Sequence, residues 1–344
     1  KSIMQSSNAL YVIDGVPIFS GRSTKSGGTE FDSRGSSEPI ADINPEDIES
    51  MSVLTGAAAA ALYGSEAANG AIVITTKKGK EGRVSITVNS NTEFTSPFIM
   101  PRFQTRYGTG MEGVQNVSGA RSWGRKLTET NYFGYSPQDD YFQTGVIATE
   151  SVSFSTGTEK NQTYASAAAV NSKGIVPNNK YNRYNFTVRN TTSFLDDKMT
   201  LDFGASYILQ NDRNMTNQGT YNNPLVGAYL FPRGNDWEDI SMYERYDPAR
   251  KIYTQYWPVG DEAMTMQNPY WVNYRNLREN KKDRYMLSAS LNYKILDWLS
   301  VSGRVRMDNS TTDYTKKLYA TSNKTLTEES NNGLYGIFKT TDKQ

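Results

Sequence analysis

Residues 46–79 read EDIESMSVLTGAAAAALYGSEAANGAIVITTKKG. Five alanines run into Leu62, Tyr63 and Gly64, and a second small-residue patch leads into a strand-like run. Upstream, Asp42 or Asn44 is placed to cap a helix start over 42–50. Pro45 sits in its first turn, and Glu46, Asp47 and Glu49 complement the positive end of the helix dipole. Residues 51–54 form a short strand. Gly56 precedes a helix over 57–63, which Gly64 closes as a C-cap. Asn69-Gly70 then turns the chain into a strand over 71–76, and Lys77, Lys78 and Lys80 mark its polar exit. Small side chains let a short helix lie close against a sheet in a confined space. Further back, ALYVIDGVPI (9–18) is an apolar strand interrupted by Asp14-Gly15, a hairpin-type turn. Pro17 limits pairing, so the strand that holds it belongs at a sheet edge. Residues 20–38 are rich in Gly, Ser and Thr and read as a flexible loop. Residues 1–80 are therefore a small mixed α/β unit. GSEAANG has neither the spacing nor the lysine ending of a phosphate loop.

Composition narrows the chemistry. The chain has 344 residues, a net charge of +1, and neither cysteine nor histidine. That removes thiol nucleophiles, disulfides, Cys/His metal sites and imidazole catalysis together. The near-balance of charge gives no nucleic-acid footprint. No apolar run approaches the roughly 20 residues of a membrane helix. Mean hydropathy is −0.64, yet 23 tyrosines and 13 phenylalanines sit in this polar background. A soluble all-β protein has that texture. So does an outer-membrane β-barrel, whose alternating strands never look hydrophobic on average.

After residue 80 the dominant period is two. Val84, Ile86, Val88 and Phe94 alternate with Ser85, Thr87, Asn89 and Glu93. The same alternation marks 182–191, 199–209, 285–293 and 299–307, with two weaker strands at about 150–157 and 162–170. Arg183, Arg189, Arg304 and Arg306 fall on the face opposite the aromatics. The turns 157–161, 195–198 and 295–298 are tight, whereas 96–149, 172–181 and 211–282 are long. Short links alternating with long ones are expected of an up-and-down barrel with periplasmic turns at one rim and outer loops at the other. A two-sheet sandwich accommodates the same strands but has no reason to sort its loops by length.

The segments YVIDGVP (11–17) and INPEDIESMSVLTGAAAAALYGSEAANGAIVITTKKG (43–79) resemble the plug domain of TonB-dependent outer-membrane transporters, in the form found in the SusC/RagA branch. GTEKNQTYASAAAVNSKGI (157–175) followed by YNRYNFTVRNTTSF (181–194) resembles early barrel hairpins of that branch, and NPYWVNY (268–274) resembles one of its loop segments. The resemblance is best at 8–95, 150–210 and 266–308. It implies a membrane all-β barrel, antiparallel and up-and-down, of about 22 strands in its complete form, with a small α/β plug domain inside. On that reading 1–80 is a partial plug domain, marked by Asp14, Gly15, Pro17, Tyr63, Gly64, Asn69 and Gly70. Residues 81–344 are then the N-terminal part of the barrel, with about seven strands. The TonB box and the small domain that commonly precedes the plug are not visible, so the chain is expected to be an internal fragment.

The function implied is TonB-dependent active import of oligosaccharides or peptides across the outer membrane of a Gram-negative bacterium. The implied partners are a SusD-like surface lipoprotein acting as a lid, the TonB–ExbB–ExbD complex, outer-membrane lipid and a second transporter in a dimer. No enzyme activity, cofactor, metal or nucleic acid is implied. Two other readings fit parts of the sequence: a siderophore receptor without a lid, and a secreted β-rich binding module. Candidate ligand contacts are the loop aromatics Trp123, Tyr132, Trp237, Trp257, Tyr270 and Trp271, with Phe133 beside them. Their faces can stack on sugar rings, or they can build the loops' own core. Asp139-Asp140 and Asp196-Asp197 are adjacent acids whose side chains point apart. Asp196-Asp197 is read as a periplasmic turn.

Overall fold

The computed structural model describes residues 9–18, 39–115, 121–132, 134–217, 219–259 and 266–343. The loop expected at 20–38, and Phe133, lie outside the described residues. Strand β1 (Leu10–Ile13) and β2 (Val16–Ile18) form a hairpin. Asp14 and Gly15 both have positive φ, 49° and 77°, as a two-residue turn matched to strand twist requires. A 3₁₀ turn (Pro45–Asp47) precedes β3 (Ile48–Leu54), helix α1 (Gly56–Tyr63) and β4 (Ala71–Thr76). The sheet order is β2-β1-β4-β3, with β1 and β4 parallel, and the proline-bearing β2 is at the edge as expected.

Two local expectations change. The helix expected over 42–50 is a single 3₁₀ turn. Asn44 caps it, its side chain accepting from Glu46 N, and the strand after it starts at Ile48 rather than at 51. Pairing with β4 takes the backbone groups that a longer helix would have used. The alanine run also packs less than its composition implies. Ala59 is fully buried with Ala67 against Leu10, Val12 and Ala71, while Ala57, Ala58 and Ala61 are exposed. Gly64 closes the helix at φ 78°, its N–H donating to the Ala60 carbonyl.

The second unit is an eight-stranded antiparallel meander. After β5 (Gly82–Thr95) come a small loop hairpin, β6 (Gly110–Met111) with β7 (Val114–Gln115), and then β8 (Gly145–Gly157), β9 (Asn161–Lys173), β10 (Lys180–Phe194) and β11 (Met199–Arg213). The next connection carries α2 (Pro224–Leu230), α3 (Trp237–Ser241), β12 (Glu244–Asp247), β13 (Ile252–Gln255) and α4 (Pro269–Arg275). The long strands β14 (Asn276–Leu296), β15 (Leu299–Leu318) and β16 (Leu334–Lys343) complete it. The order is β16-β15-β14-β11-β10-β9-β8-β5, every neighbour antiparallel.

Tight turns at 158–160, 195–198 and 297–298 lie at one end of the sheet, and the links 96–144, 214–275 and 319–333 lie at the other. The link after β9 spans only 174–179, because β9 and β10 extend further than the alternation suggests. β16 is absent from the alternating pattern. Its Tyr335 and Ile337 are exposed, while Leu334 and Phe338 on the other face are apolar too, so period two is blurred. On the remaining strands the apolar face is bare: Val88 and Phe94 are more than 70% exposed. The polar face is the covered one, with Asn185, Thr187 and Arg284 buried. That is inverted relative to a water-soluble sheet and fits strands whose outer face meets lipid. Among the described residues no helix is long and apolar enough to cross a membrane.

Candidate functional site

The covered polar face is covered by the small α/β unit. The turn that makes the β1–β2 hairpin also makes the first contact. Asp14 accepts from Thr76 N at 2.9 Å and Thr76 Oγ1 at 2.7 Å, which fixes the turn on β4. The Oδ2 that takes the Thr76 hydroxyl also accepts from Arg189 Nη1 on β10 at 2.8 Å, and the Asp14 backbone carbonyl accepts from Arg304 Nη1 on β15 at 2.7 Å. Burial pushes the Asp14 carboxyl upward, but the Arg189 charge and the Thr76 hydrogen bonds outweigh it and hold the group below its ordinary value. Gly15 is needed twice here. Its φ is positive, and a Cβ would stand 2.6 Å from Arg304 Nη1.

A second contact is deeper. Asp42 is fully buried, with Lys282 Nζ at 2.5 Å and Arg284 Nη1 at 2.6 Å from its Oδ2. Arg284 also forks onto Asp308, Nε to Oδ1 at 2.9 Å and Nη2 to Oδ2 at 2.7 Å. Asn185 donates to the Asp42 carbonyl at 2.5 Å and Arg183 to the Ala41 carbonyl. Tyr164 on β9 donates to Asp47 at 2.8 Å, and Lys78 meets Asp202 at 3.2 Å. Past β4 the backbone runs so close to β9 that a side chain at Gly79 would collide with the Thr163 backbone. The α/β unit is thus held to the sheet by ion pairs and hydrogen bonds, and among the described residues no strand of one sheet pairs with the other.

At the far end, three long links pack on one another. Tyr135 stacks on Trp237 at 4.1 Å, Phe231 meets the same indole edge-on at 5.0 Å, and Tyr141 lies beside it at 5.9 Å. Trp271 is fully buried and donates Nε1–H to Ser322 Oγ at 3.0 Å. Trp257 and Tyr270 pack on the same cluster, and Trp237 Nε1 donates to Tyr270 Oη at 3.1 Å. Burial holds the hydroxyls of Tyr135 and Tyr270 above the ordinary tyrosine value. As placed, Trp237 and Trp271 have no face to offer a ligand, because their rings are the core of the loop assembly. Of the two roles the sequence left open, this placement favours the loops' own core for these two residues. Trp123 is 66% exposed and Tyr132 is also exposed, so these two sit apart from Trp237, Trp257 and Tyr270, which the structure brings together, and from Trp271, which is buried nearby in the chain against Ser322.

Of the other singled-out residues, Asp14, Gly15 and Pro17 lie in the hairpin. Tyr63 packs on the Leu10–Ala59 cluster. Asn69-Gly70 forms the turn into β4, with Gly70 at φ 103°. Sequence reasoning missed Lys282, Asp308, Asn185 and Arg284, and saw Asp42 only as a cap. The legible signal was the set of arginines on the polar face.

A plug docked on the polar inner face of a meander whose outer face is apolar is the arrangement the sequence resemblance implied. The model of the TonB-dependent receptor plug domain matches residues 4–71. The chain is 27% identical over 282 residues to the TonB-dependent receptor SusC of Bacteroides thetaiotaomicron, covering 79% of this chain and 25% of that protein. The chain is thus similar to the SusC/RagA-type TonB-dependent receptors and carries their plug domain. It is also 31% identical over 219 residues to the TonB-dependent receptor P39 of Formosa agariphila, covering 62% of this chain and 18% of that one. Its fold superposes on the RagAB peptide importer in its closed-closed state with a TM-score of 0.60 at 19% identity, over 91% of this chain and 36% of that one. The receptor chain thus spans about a quarter or less of the curated relatives it matches. The eight-stranded sheet is an unclosed part of an outer-membrane β-barrel wall, with the plug on its inner side.

Proposed function

We propose that the receptor imports an oligosaccharide or a peptide across the outer membrane, driven through TonB, with a SusD-like lipoprotein over its outer loops. Residues 1–80 act as the plug and 81–344 as wall. The observation that carries this reading is the seam itself. Among the described residues plug and wall share no β-ladder, and their contacts include side-chain ion pairs such as Asp14–Arg189 and Asp42–Arg284. Polar partners of this kind can be exchanged for water when the plug is pulled, whereas an apolar core or a shared ladder would have to be torn open. The solute meets the outer loops first. Trp123 and Tyr132 are free to stack on it, and the Trp237–Trp271 assembly serves as the rigid base beneath them. The inner-membrane TonB–ExbB–ExbD complex supplies the pull, and the receptor performs no bond chemistry. The wall's outer face sits in outer-membrane lipid, and two receptors are free to pair, each under its own lipoprotein.

Residues 1–344 hold no cysteine, so a pair introduced here, with any cysteine elsewhere in the receptor replaced by serine, makes a clean test. Asn89 on the wall donates to Glu46 on the plug at 3.0 Å, and both are exposed. Glu46→Cys and Asn89→Cys in the complete receptor, bridged by a short bis-maleimide, should abolish uptake of its nutrient in cells, while either single variant transports normally. Undiminished uptake by the bridged receptor would sink the proposal. A lipoprotein that co-purifies in equal amount would support the lid, and purification without one would count against it.

A further inference from the structure

Between plug and wall lies a cavity of about 410 Å³, lined among others by Asp14, Asp42, Asn185, Arg189, Arg304 and Arg306. Its cations are not equally matched. Arg189 faces the Asp14 carboxylate at 2.8 Å. Arg304 donates to a neutral backbone carbonyl. Arg306 reaches Asp308 Oδ2 only at 3.5 Å, and that oxygen already accepts from Arg284 at 2.7 Å; its other contact is the Met286 sulfur at 3.4 Å. The Arg306 side chain is nonetheless only 15% exposed. Positions 304 and 306 share the inner face of β15, about 7 Å apart along the strand. Two neighbouring guanidinium groups, Arg304 open to solvent and Arg306 largely covered, neither within 3 Å of a carboxylate, are a receptor for an anion.

The cavity offers acceptors as well. Asp42 Oδ1 and Asn185 Oδ1 are buried without a protein donor. The Asp42 charge is already balanced by Lys282 and Arg284, so its spare oxygen can accept a hydroxyl without repelling a ligand. Buried acceptors left open in this way call for donors from a guest or from water. We infer that the space between plug and wall is a binding site for a small polyhydroxylated carboxylate, the chemical class of a uronic-acid unit. Its carboxylate lies on Arg304 and Arg306, and its hydroxyls donate toward Asp42 and Asn185. The volume falls at the lower end of small-molecule sites. The site exists with the plug seated and does not depend on import.

The test uses the complete receptor purified in detergent, with sodium D-glucuronate, D-glucose and sodium acetate as probes in isothermal titration. Glucuronate should bind saturably and at least about tenfold more tightly than glucose, the worth of one charge-assisted contact. Arg306→Gln should remove that advantage, and Arg306→Lys should keep part of it. Arg306 has only long contacts of its own, so an unchanged melting temperature is expected for both variants. Should Arg306→Gln melt early, Arg304→Gln serves as the second variant. Glucuronate binding no tighter than glucose, or unaffected by either variant, overturns the site; so does acetate matching glucuronate, which would leave the acceptors without a role. Since no energised membrane is involved, failure here and failure of the import proposal are read separately.

Discussion

Asp42 has no water to turn to when a partner is lost. With Lys282 and Arg284 both on one carboxylate oxygen, Asp42→Asn removes the charge and leaves two buried cations facing a neutral amide. Breaking one side of a buried pair costs on the order of 3 kcal/mol, and here Asp308 still holds Arg284, so about 2–3 kcal/mol is expected. Protease nicking of the plug, with the wall intact, would report it; an unaltered cleavage rate would mean the seam is held elsewhere. Asp14 gives the pH dependence. Its pKa is lowered in the folded state, so its contribution is fully present above the unfolded value of 3.8 and is lost as pH falls through the lower folded value. Arg189 faces its carboxylate and Arg304 its backbone carbonyl. Plug docking should therefore be flat from neutral pH down to about 4 and weaken below that, and Asp14→Asn should flatten this part of the profile in an acid titration of plug protection.

The outer links form an element in their own right. Trp237 touches Tyr135, Tyr141, Phe231 and Tyr270, so Trp237→Ala should cost the loop assembly about 3–5 kcal/mol. Proteolysis within 214–275 should rise while the sheet below stays resistant. Trp123→Ala, at an exposed position, should leave both unchanged. Composition made these residues look alike, because stacking on a sugar and stacking on one another require the same side chains. Only burial separates them. The hairpin at Asp14-Gly15, the turn at Asn69-Gly70 and the helix ending at Gly64 were legible, because each is decided by the backbone freedom of its own residues. The expected helix at 42–50 failed for the opposite reason. Its cap was read correctly, but the pairing of β3 with β4, beginning at Ile48 with Thr76, overrode local propensity.

For the whole molecule, the inverted sheet makes the sharpest statement. Phe186 points outward from the middle of β10 and is 49% exposed, whereas its neighbours Asn185 and Thr187 point inward and are buried. Phe186→Arg in the complete receptor should cost about 2–4 kcal/mol when folding is measured in lipid vesicles. A cost near zero would mean that this face does not meet the bilayer.

The sequence by itself determined the period of two, the sorting of tight turns to one rim, the plug motif and the arginines of the inner face. These features rest on residues a few positions apart, where backbone geometry and alternation act directly. The tertiary structure alone decided that Asp42 meets Arg284, 242 positions away, that Trp237, Trp257 and Tyr270 share one loop core, and that Arg306 keeps only a long, shared contact with Asp308. Charge partnership and burial are set by which strands the closing sheet brings face to face, and no local pattern encodes that distance.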